Sequence, residues 1–405
     1  MLYQSEKYPR LALEKECTGC LACVDCCPKN AIKQYIGKDG HVYVTLDKDE
    51  CVGCKKCERI CNASRMNYGN NKLNKSQIYA AWTGNQEDRK NATSGGIFAS
   101  LARYIINNGG VVVGACLQDK ECKHILIKDT KDIKKLQGSK YMFSSMSGIY
   151  KVIEQEISQH KVLFSGVGCQ CAGVLAYFEY SPYKSNLITM DLVCGGAPSQ
   201  ILLTKFYQEN PNIEKIISFR SKDKYELKVL ENGSIKEIKG KSLPLHGFNC
   251  ELTNKFNCYH CQFACAHRKT DITIGDLWNY EYMPDEHSRG ISSVIVHSQE
   301  GSELLKKADI LMNEIKWKEC ISYCKRIVWG KAPIFYPRKK LKDNAEKLNS
   351  EKFRKLYCMD IKPTDFIMFS FRGYRYIIMH IYNCAAKFYI KWLEFKFKKR
   401  CRKLF

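Results

Sequence analysis

The sequence predicts a small α+β domain built on cysteines, then an α/β domain, then a basic helical tail. Three observations carry this reading: a cysteine pattern that recurs after 34 residues, an alternation of strand, glycine-rich turn and helix from about Ile78, and an aromatic, basic C-terminal segment. At 405 residues the chain can hold two or three domains and bury a sizeable core. Its 23 cysteines and formal net charge of +23 are both unusual. The opening MLYQSEKYPRLALEKEC lacks an apolar signal core. An exported disulfide scaffold is therefore not expected; the reading is a cytoplasmic protein whose spaced thiols stay reduced and hold metal. The longest uncharged run, Val162–Phe178, is 17 residues and is interrupted by SGVGCQCAG. A membrane span needs roughly 20 apolar residues, so none is expected.

Residues 1–75 form the first expected domain. Cys17, Cys20, Cys23 and Cys27 follow C-x2-C-x2-C-x3-C, and Cys51, Cys54, Cys57 and Cys61 repeat the spacing. Three cysteines at this interval let a short loop wrap one corner of a cubane, with backbone N–H groups facing the sulfurs. In two-cluster ferredoxins the fourth thiolate comes from the other motif. The expectation is thus a ferredoxin-like α+β domain with two [4Fe–4S] clusters. One is held by Cys17, Cys20, Cys23 and Cys61, the other by Cys51, Cys54, Cys57 and Cys27. Zinc would leave the third and fourth cysteines of each motif surplus. Cys26 has no assigned role, and Asn62 stands where a second Pro might follow the motif. Between the motifs a strand, a turn at Lys38-Asp39-Gly40 and a second strand are expected. Lys55, Lys56 and Arg59 lie in the second loop, either as a solvated face or to attract an acidic redox partner.

Residues 76–335 form the second expected domain. Ser94-Gly95-Gly96 opens a helix over Ile97–Asn107, and Gly109-Gly110 leads into the strand VVVGACL. Lys161–Ser165 reads as a strand, Gly166-Val167-Gly168 as a tight turn, and a helix runs from Cys169 toward Phe178. Leu187–Val193, the loop CGGAPS and a helix over Gln200–Glu209 repeat the unit. Such turns place N–H groups at helix N-termini, where phosphates bind, so they allow a nucleotide or flavin site. No GxGxxG or P-loop is present. Asn232-Gly233 between alternating runs predicts a β-hairpin. A second cysteine group follows: Cys258 and Cys261 as a C-x2-C pair, then Cys265 and the strand-like DITIGDLW.

With these blocks in order, SGGIFASLARYIINNGGVVVGA, LQGSKYMFSS, VLFSGVGCQCAG, DLVCGGAPS, and CYHCQF with DITIGDLW, the chain resembles the coenzyme F420 hydrogenase/dehydrogenase beta-subunit family, in the version with an N-terminal two-cluster ferredoxin domain. The resemblance spans about Cys17 to Val296. It implies an α/β flavin-binding domain carrying FAD and a third [4Fe–4S] cluster. By position, Cys169, Cys194, Cys258 and Cys261 match the family's recurring cysteines and are the expected ligands, with Cys265 in reserve. Ser94, Gly95 and Gly96, and Gly138, Ser139, Lys140 and Tyr141 after Gln137, look like flavin or substrate contacts. Asp276 is read as structural in preference to facing the flavin. Members acting on F420 move hydride between the flavin and that deazaflavin; bacterial relatives of this shape are often associated with surface polysaccharide biosynthesis.

The expected function is electron transfer between the clusters and a flavin that exchanges hydride with F420 or another small substrate. Ferredoxin, flavodoxin or another redox protein is the expected one-electron partner. The alternative is a non-catalytic relay serving a separate enzyme. Residues 336–405 form the expected tail. From Phe366 to Phe405 it has ten Lys and Arg against Glu394 alone, a composition that suits peripheral contact with the inner face of an anionic membrane or packing on the α/β domain. No nucleic-acid motif is evident.

Overall fold

The computed structural model describes residues 7–64, 76–220, 222, 224–238, 242–251, 253–327 and 345–357. The predicted basic tail, Phe366–Phe405, lies outside the described residues.

The N-terminal part is one hairpin flanked by two cysteine loops. β1 (Ile32–Ile36) pairs antiparallel with β2 (Val42–Leu46). Each loop ends in a single helical turn, Ala22–Asp25 and Lys56–Arg59, again 34 residues apart. Its apolar side is not closed on itself. Ala22, Ile32 and Ile60 share one core with Met146, Tyr150, Phe164 and Val174 of the following domain. Tyr150 ties the two parts together: its hydroxyl donates to the Cys20 carbonyl at 2.8 Å, and its N–H donates to the Asp25 carboxylate at 3.2 Å.

The large sheet has eight strands. They are β3 (Ile78–Thr83), β4 (Val111–Gln118), β5 (Glu121–Ile127), β6 (Val162–Val167), β7 (Leu187–Leu192), β11 (Ile272–Asp276), β12 (Ser292–Val296) and β13 (Ile310–Glu314). The spatial order is β13-β3-β12-β11-β7-β6-β4-β5. The central run β4, β6, β7 and β11 is parallel, and both flanks are antiparallel. The sheet is therefore mixed, more so than the strand–turn–helix alternation implied. Its inner strands are buried on both faces, which accounts for their near-continuous apolar sequences. The helix Ile97–Asn107 starts where expected, after Gly96 at φ +80°.

Two differences from the sequence reading have local causes. There is no separate turn at Gly166-Val167-Gly168: β6 runs to Val167, pairing with Leu192, and the helix Gly168–Tyr177 begins at once. The Gln170 side chain accepts the Val167 N–H at 3.1 Å, which lets strand pass directly into helix. The β4–β5 hairpin turns at Asp119-Lys120, both at positive φ, without the glycine that usually marks such a turn. Between β7 and β11 the chain inserts a separate antiparallel sheet of β8 (Ile213–Ser218), β9 (Leu227–Glu231) and β10 (Ser234–Ile238). Its Asn232-Gly233 turn has φ of +48° and +72°, matching the predicted hairpin. Among the described residues no helix is long and apolar enough to cross a membrane.

Candidate functional site

The two N-terminal loops have the same backbone. Gly19 and Gly53 both sit at φ +71°, and Leu21 and Lys55 are left-handed at +62° and +56°. This path aims amides at sulfur. The Gly19 N–H donates to Cys17 Sγ at 3.4 Å, Gly53 to Cys51 Sγ at 3.4 Å, and Ala31 to Cys27 Sγ at 3.2 Å. The thiols then sort across the repeat. Burial pushes Cys20 up to about 11, and the neighbouring Cys61 and Cys17 thiolates add to it. Burial also raises Cys23, followed by Cys20, Cys17 and Cys61. In the other group burial pushes Cys57 up to about 11, with Cys27 and Cys54 contributing. Cys27, Cys51, Cys54 and Cys57 line one small hollow closed by Ile32, Leu46 and Val52. Cys26, unassigned from sequence, is buried and donates its thiol to the Cys23 carbonyl at 3.4 Å.

A third thiol group forms in the α/β part from three separate stretches. Cys169 lies in the first turn of the helix after β6, Cys194 follows β7, and Cys258 and Cys261 come from the segment before β11. Burial raises Cys169 far above the usual thiol range, and the next contributors are Cys261, Cys258 and Cys194. The Gly196 N–H donates to Cys194 Sγ at 3.3 Å. The other cysteines of this region are engaged elsewhere. The single S–H of Cys171 has the Gly166 and Met190 carbonyls as alternative acceptors, each at 3.7 Å, and the reserve Cys265 donates to the His267 carbonyl. Among the described residues no three Cys, His, Asp or Glu side chains converge tightly enough to hold a single metal ion. The cysteines of each group instead lie near enough to raise one another's thiols. All-thiolate donors, buried and supplied with amide N–H groups, are the environment a [4Fe–4S] cluster takes.

The first and third groups adjoin. Cys20 is among the charges acting on Cys169, and a Cβ on Gly173 would stand 3.2 Å from Cys20 Sγ. Asn62 spans the gap. Its Oδ1 accepts from the Thr18 hydroxyl at 2.9 Å, and its Nδ2 donates to the Cys169 carbonyl at 2.7 Å.

A cleft opens at the carboxyl ends of β6, β7 and β11, where ligands bind in open α/β sheets. It measures about 260 Å³, and a second cavity of about 300 Å³ shares Thr93, Gln137, Gly138, Ser139 and Lys140 with it. Together they reach the size of a small-molecule site. The second cavity is walled by Lys134, Lys135 and Lys140, which gives it a basic lining. Ser94 and Gly96 line the cleft, as do Gly138, Ser139, Lys140 and Tyr141. Gly95 does not. It is turned into the sheet, its N–H bonded to Ser292 Oγ at 2.9 Å, and a Cβ there would lie 2.4 Å from the Ala81 carbonyl. Lys140 folds back on its own loop, donating to the Leu136 and Gln137 carbonyls at 2.8 and 2.7 Å.

Arg220, which no local sequence signal marks, is buried and holds two residues of the cleft wall, Asp276 and Tyr141. Its guanidinium grips Asp276 with two bonds of 2.9 and 2.8 Å, donates to the Tyr141 hydroxyl at 3.2 Å, and lies 4.5 Å over the Trp278 ring. Burial raises the Tyr141 phenol despite this cation. Arg220 Nε is buried with no partner among the described residues. Asp276 has the structural role expected of it, paired with Arg220, and it also forms part of the cleft wall. A cleft with a basic annex and aromatic walls from Tyr141 and Phe248 has the lining of a site for a small molecule that joins an anionic part to a flat apolar one.

Known proteins bear on this arrangement. Residues 16–64 match the 4Fe-4S dicluster domain. Residues 78–151 and 159–319 match the coenzyme F420 hydrogenase/dehydrogenase beta subunit, N-term and C terminus respectively. Curated relatives include one subunit of the H(2):CoB-CoM heterodisulfide,ferredoxin reductase from Methanothermobacter marburgensis, 38% identical over 69 residues, 14% of this chain and 10% of that protein. Another is the iron-sulfur subunit of the CoB--CoM heterodisulfide reductase of Methanocaldococcus jannaschii, 40% identical over 76 residues, 16% of this chain and 12% of that protein. The chain spans only about a tenth of the length of these relatives. A solved chain from the F420-reducing [NiFe] hydrogenase complex of Methanosarcina barkeri is 18% identical, covers 65% of this chain and 91% of its own length, and has a TM-score of 0.47. With both halves of the beta subunit matched in order behind the dicluster motif, the chain belongs to the coenzyme F420 hydrogenase/dehydrogenase beta-subunit family of oxidoreductases.

Proposed function

We propose that the three thiol groups hold three [4Fe–4S] clusters and that the cleft holds FAD. The ligand sets are Cys17, Cys20, Cys23 and Cys61; Cys51, Cys54, Cys57 and Cys27; and Cys169, Cys194, Cys258 and Cys261. Electrons then pass between a small hydride donor or acceptor at the cleft, F420 or another carrier, and a one-electron protein such as ferredoxin or flavodoxin. The observation that carries this reading is Cys194, which belongs both to the third thiol group and to the cleft wall. A flavin there would convert two-electron hydride chemistry into single-electron steps, and each cluster carries one electron.

The chain's own residues supply order and access. Tyr150 and Asn62 fix the first cysteine loop against the helix that carries Cys169. Arg220 holds Asp276 in the wall, and the lysines that line the adjoining cavity favour an anionic ligand. At the far end Cys54 is exposed, beside the exposed Lys56 and Arg59. Such an edge suits docking of an acidic redox protein. This continuity from a basic surface to a cleft favours the enzyme reading over a relay without turnover.

The test is composition, then turnover. Anaerobically purified protein is expected to hold about twelve irons and one FAD, as three cubanes and one flavin require. About eight irons and no flavin would remove the third cluster and the catalytic cleft together. With cofactors counted, reduction by F420, nicotinamides and ferredoxin, each in turn, identifies the donor.

A further inference from the structure

Lys255 is a lysine side chain with 1% of its surface exposed, so its ammonium has left water. Removing a lone charge from water is costly unless opposite charge is close. The contacts it makes are modest: a hydrogen bond to the Val42 carbonyl at 2.6 Å and the face of Tyr43 at 3.3 Å. Burial lowers its ammonium, and the negative groups that oppose this and favour the charged form are Cys17, Asp39, Cys258 and Cys169, in that order. The Asp39 carboxylate is already engaged by the His41 N–H at 3.1 Å and the Tyr43 hydroxyl at 2.8 Å. The other three are thiols of the first and third groups. Reciprocally, Lys255 opposes the effect of burial on Cys17.

Its position is fixed from both sides. Its N–H donates to the Ala197 carbonyl at 3.3 Å, in the loop that follows Cys194. Its carbonyl accepts the Cys258 N–H at 2.9 Å. Its Cε would lie 3.3 Å from a Cβ on Gly19, between Cys17 and Cys20. The side chain therefore starts in the third thiol group and ends in the first. Among the described residues no comparable buried cation serves the second group, where the lysine acting on Cys26 is the exposed Lys56.

We propose that Lys255 is a fixed positive charge shared by the first and third clusters, raising the reduction potential of both and setting the electron step between them. The proposal rests on the cluster reading above. When one cluster passes an electron to the next, the donor loses one negative charge and the acceptor gains it. A cation held between them stabilises the more negative, reduced form of each. Burial leaves the interaction little screened, so its removal is felt at both centres. The second cluster, none of whose cysteines is named among the groups acting on Lys255, serves as an internal reference.

The experiment is an EPR-monitored redox titration of the full chain, wild type against Lys255→Met, after iron and sulfide have been counted. With iron unchanged, the expected result is that two of the three couples move to more negative potential while the third stays. Lys255→Arg, which keeps the charge, should leave all three near their wild-type values. Lys255→Gln, neutral but still able to bond the Val42 carbonyl, reads the same effect if the Met variant does not retain iron. Full iron with all three couples unmoved, or all three moved equally, would overturn the proposal. A wild-type chain with only about eight irons instead overturns the cluster reading beneath it.

Discussion

Asn62 shows how a single side chain can join two electron-carrying parts. In the sequence it is a departure, the residue standing where a proline might follow the second cysteine motif. In the structure its amide is satisfied on both ends, by the Thr18 hydroxyl and the Cys169 carbonyl, and its own carbonyl accepts from Gln262 at 3.1 Å. Proline would supply neither side-chain bond. Asn62→Ala leaves buried partners unpaired, and the expected loss is about 1–3 kcal/mol of stability, read as a lower denaturant midpoint with unchanged m-value. His124 is a second such case. It is fully buried, stacked on Phe164, with Nδ1 accepting from Ser144 and Nε2 donating to the Ser165 carbonyl. Burial lowers it to about 4, so the native state excludes a proton that the unfolded chain takes up below about 6.5. Its contribution is full above that value and is lost as pH falls toward 4, about 3 kcal/mol in all. The thermal midpoint should drop over this window, and the His124→Gln variant should show a flatter acid limb. An equally steep limb in the variant would assign the acid sensitivity to other groups.

Among the elements, β7 and β11 carry the most consequence, because their carboxyl ends support both the third thiol group and the cleft. A buried ion pair fastens them. Asp191 on β7 is fully buried and bonds Arg268 at 2.8 Å and the Thr273 hydroxyl of β11 at 2.5 Å. Arg268 also donates to the Leu192 carbonyl at 3.1 Å and to the Cys265 carbonyl at 3.0 Å, bracing the chain on both sides of the cysteines. Burial alone would lower the guanidinium, but the Asp191 carboxylate outweighs it and the group stays charged. Asp191→Ala strands that charge, and the expected cost is about 3–5 kcal/mol. Iron lost on dilution of the variant should come from the third group first. These elements also show what sequence could and could not reveal. The cysteine loops and the Asn232-Gly233 hairpin were legible because ligand spacing and turn chemistry are local. The parallel strands were legible as apolar runs. The flanks were not, since β3 pairs with β12 and β13, strands far along the chain at Ser292–Val296 and Ile310–Glu314, and only tertiary register brings them together. Arg220 and Trp278 escaped for the same reason: 58 residues separate two side chains that stack on each other.

At the scale of the whole molecule the proposed electron path is a line. It runs from the exposed Cys54 through the crossed cysteine loops, past Lys255 and Asn62, to Cys194 and the cleft. Length alone would not impose direction or coupling; what does is that each junction is a buried contact between two parts of the chain. The last junction is the narrowest, because Cys194 is the one cysteine of the third group in the cleft wall. Cys194→Ala should therefore cut the line at a known place. The variant is expected to lose about four irons and keep about eight, since the two N-terminal groups share none of its ligands. Flavin content should persist, because the remaining cleft walls come from Ser94, Gly96 and the stretch from Gly138 to Tyr141. Dithionite, acting at the surface, should still bleach the N-terminal clusters. A hydride donor acting at the cleft should no longer do so, whereas in the wild type it bleaches both. If that donor still reduces the N-terminal clusters at the wild-type rate in a variant with four irons missing, electrons reach them by another route, and the linear order is wrong.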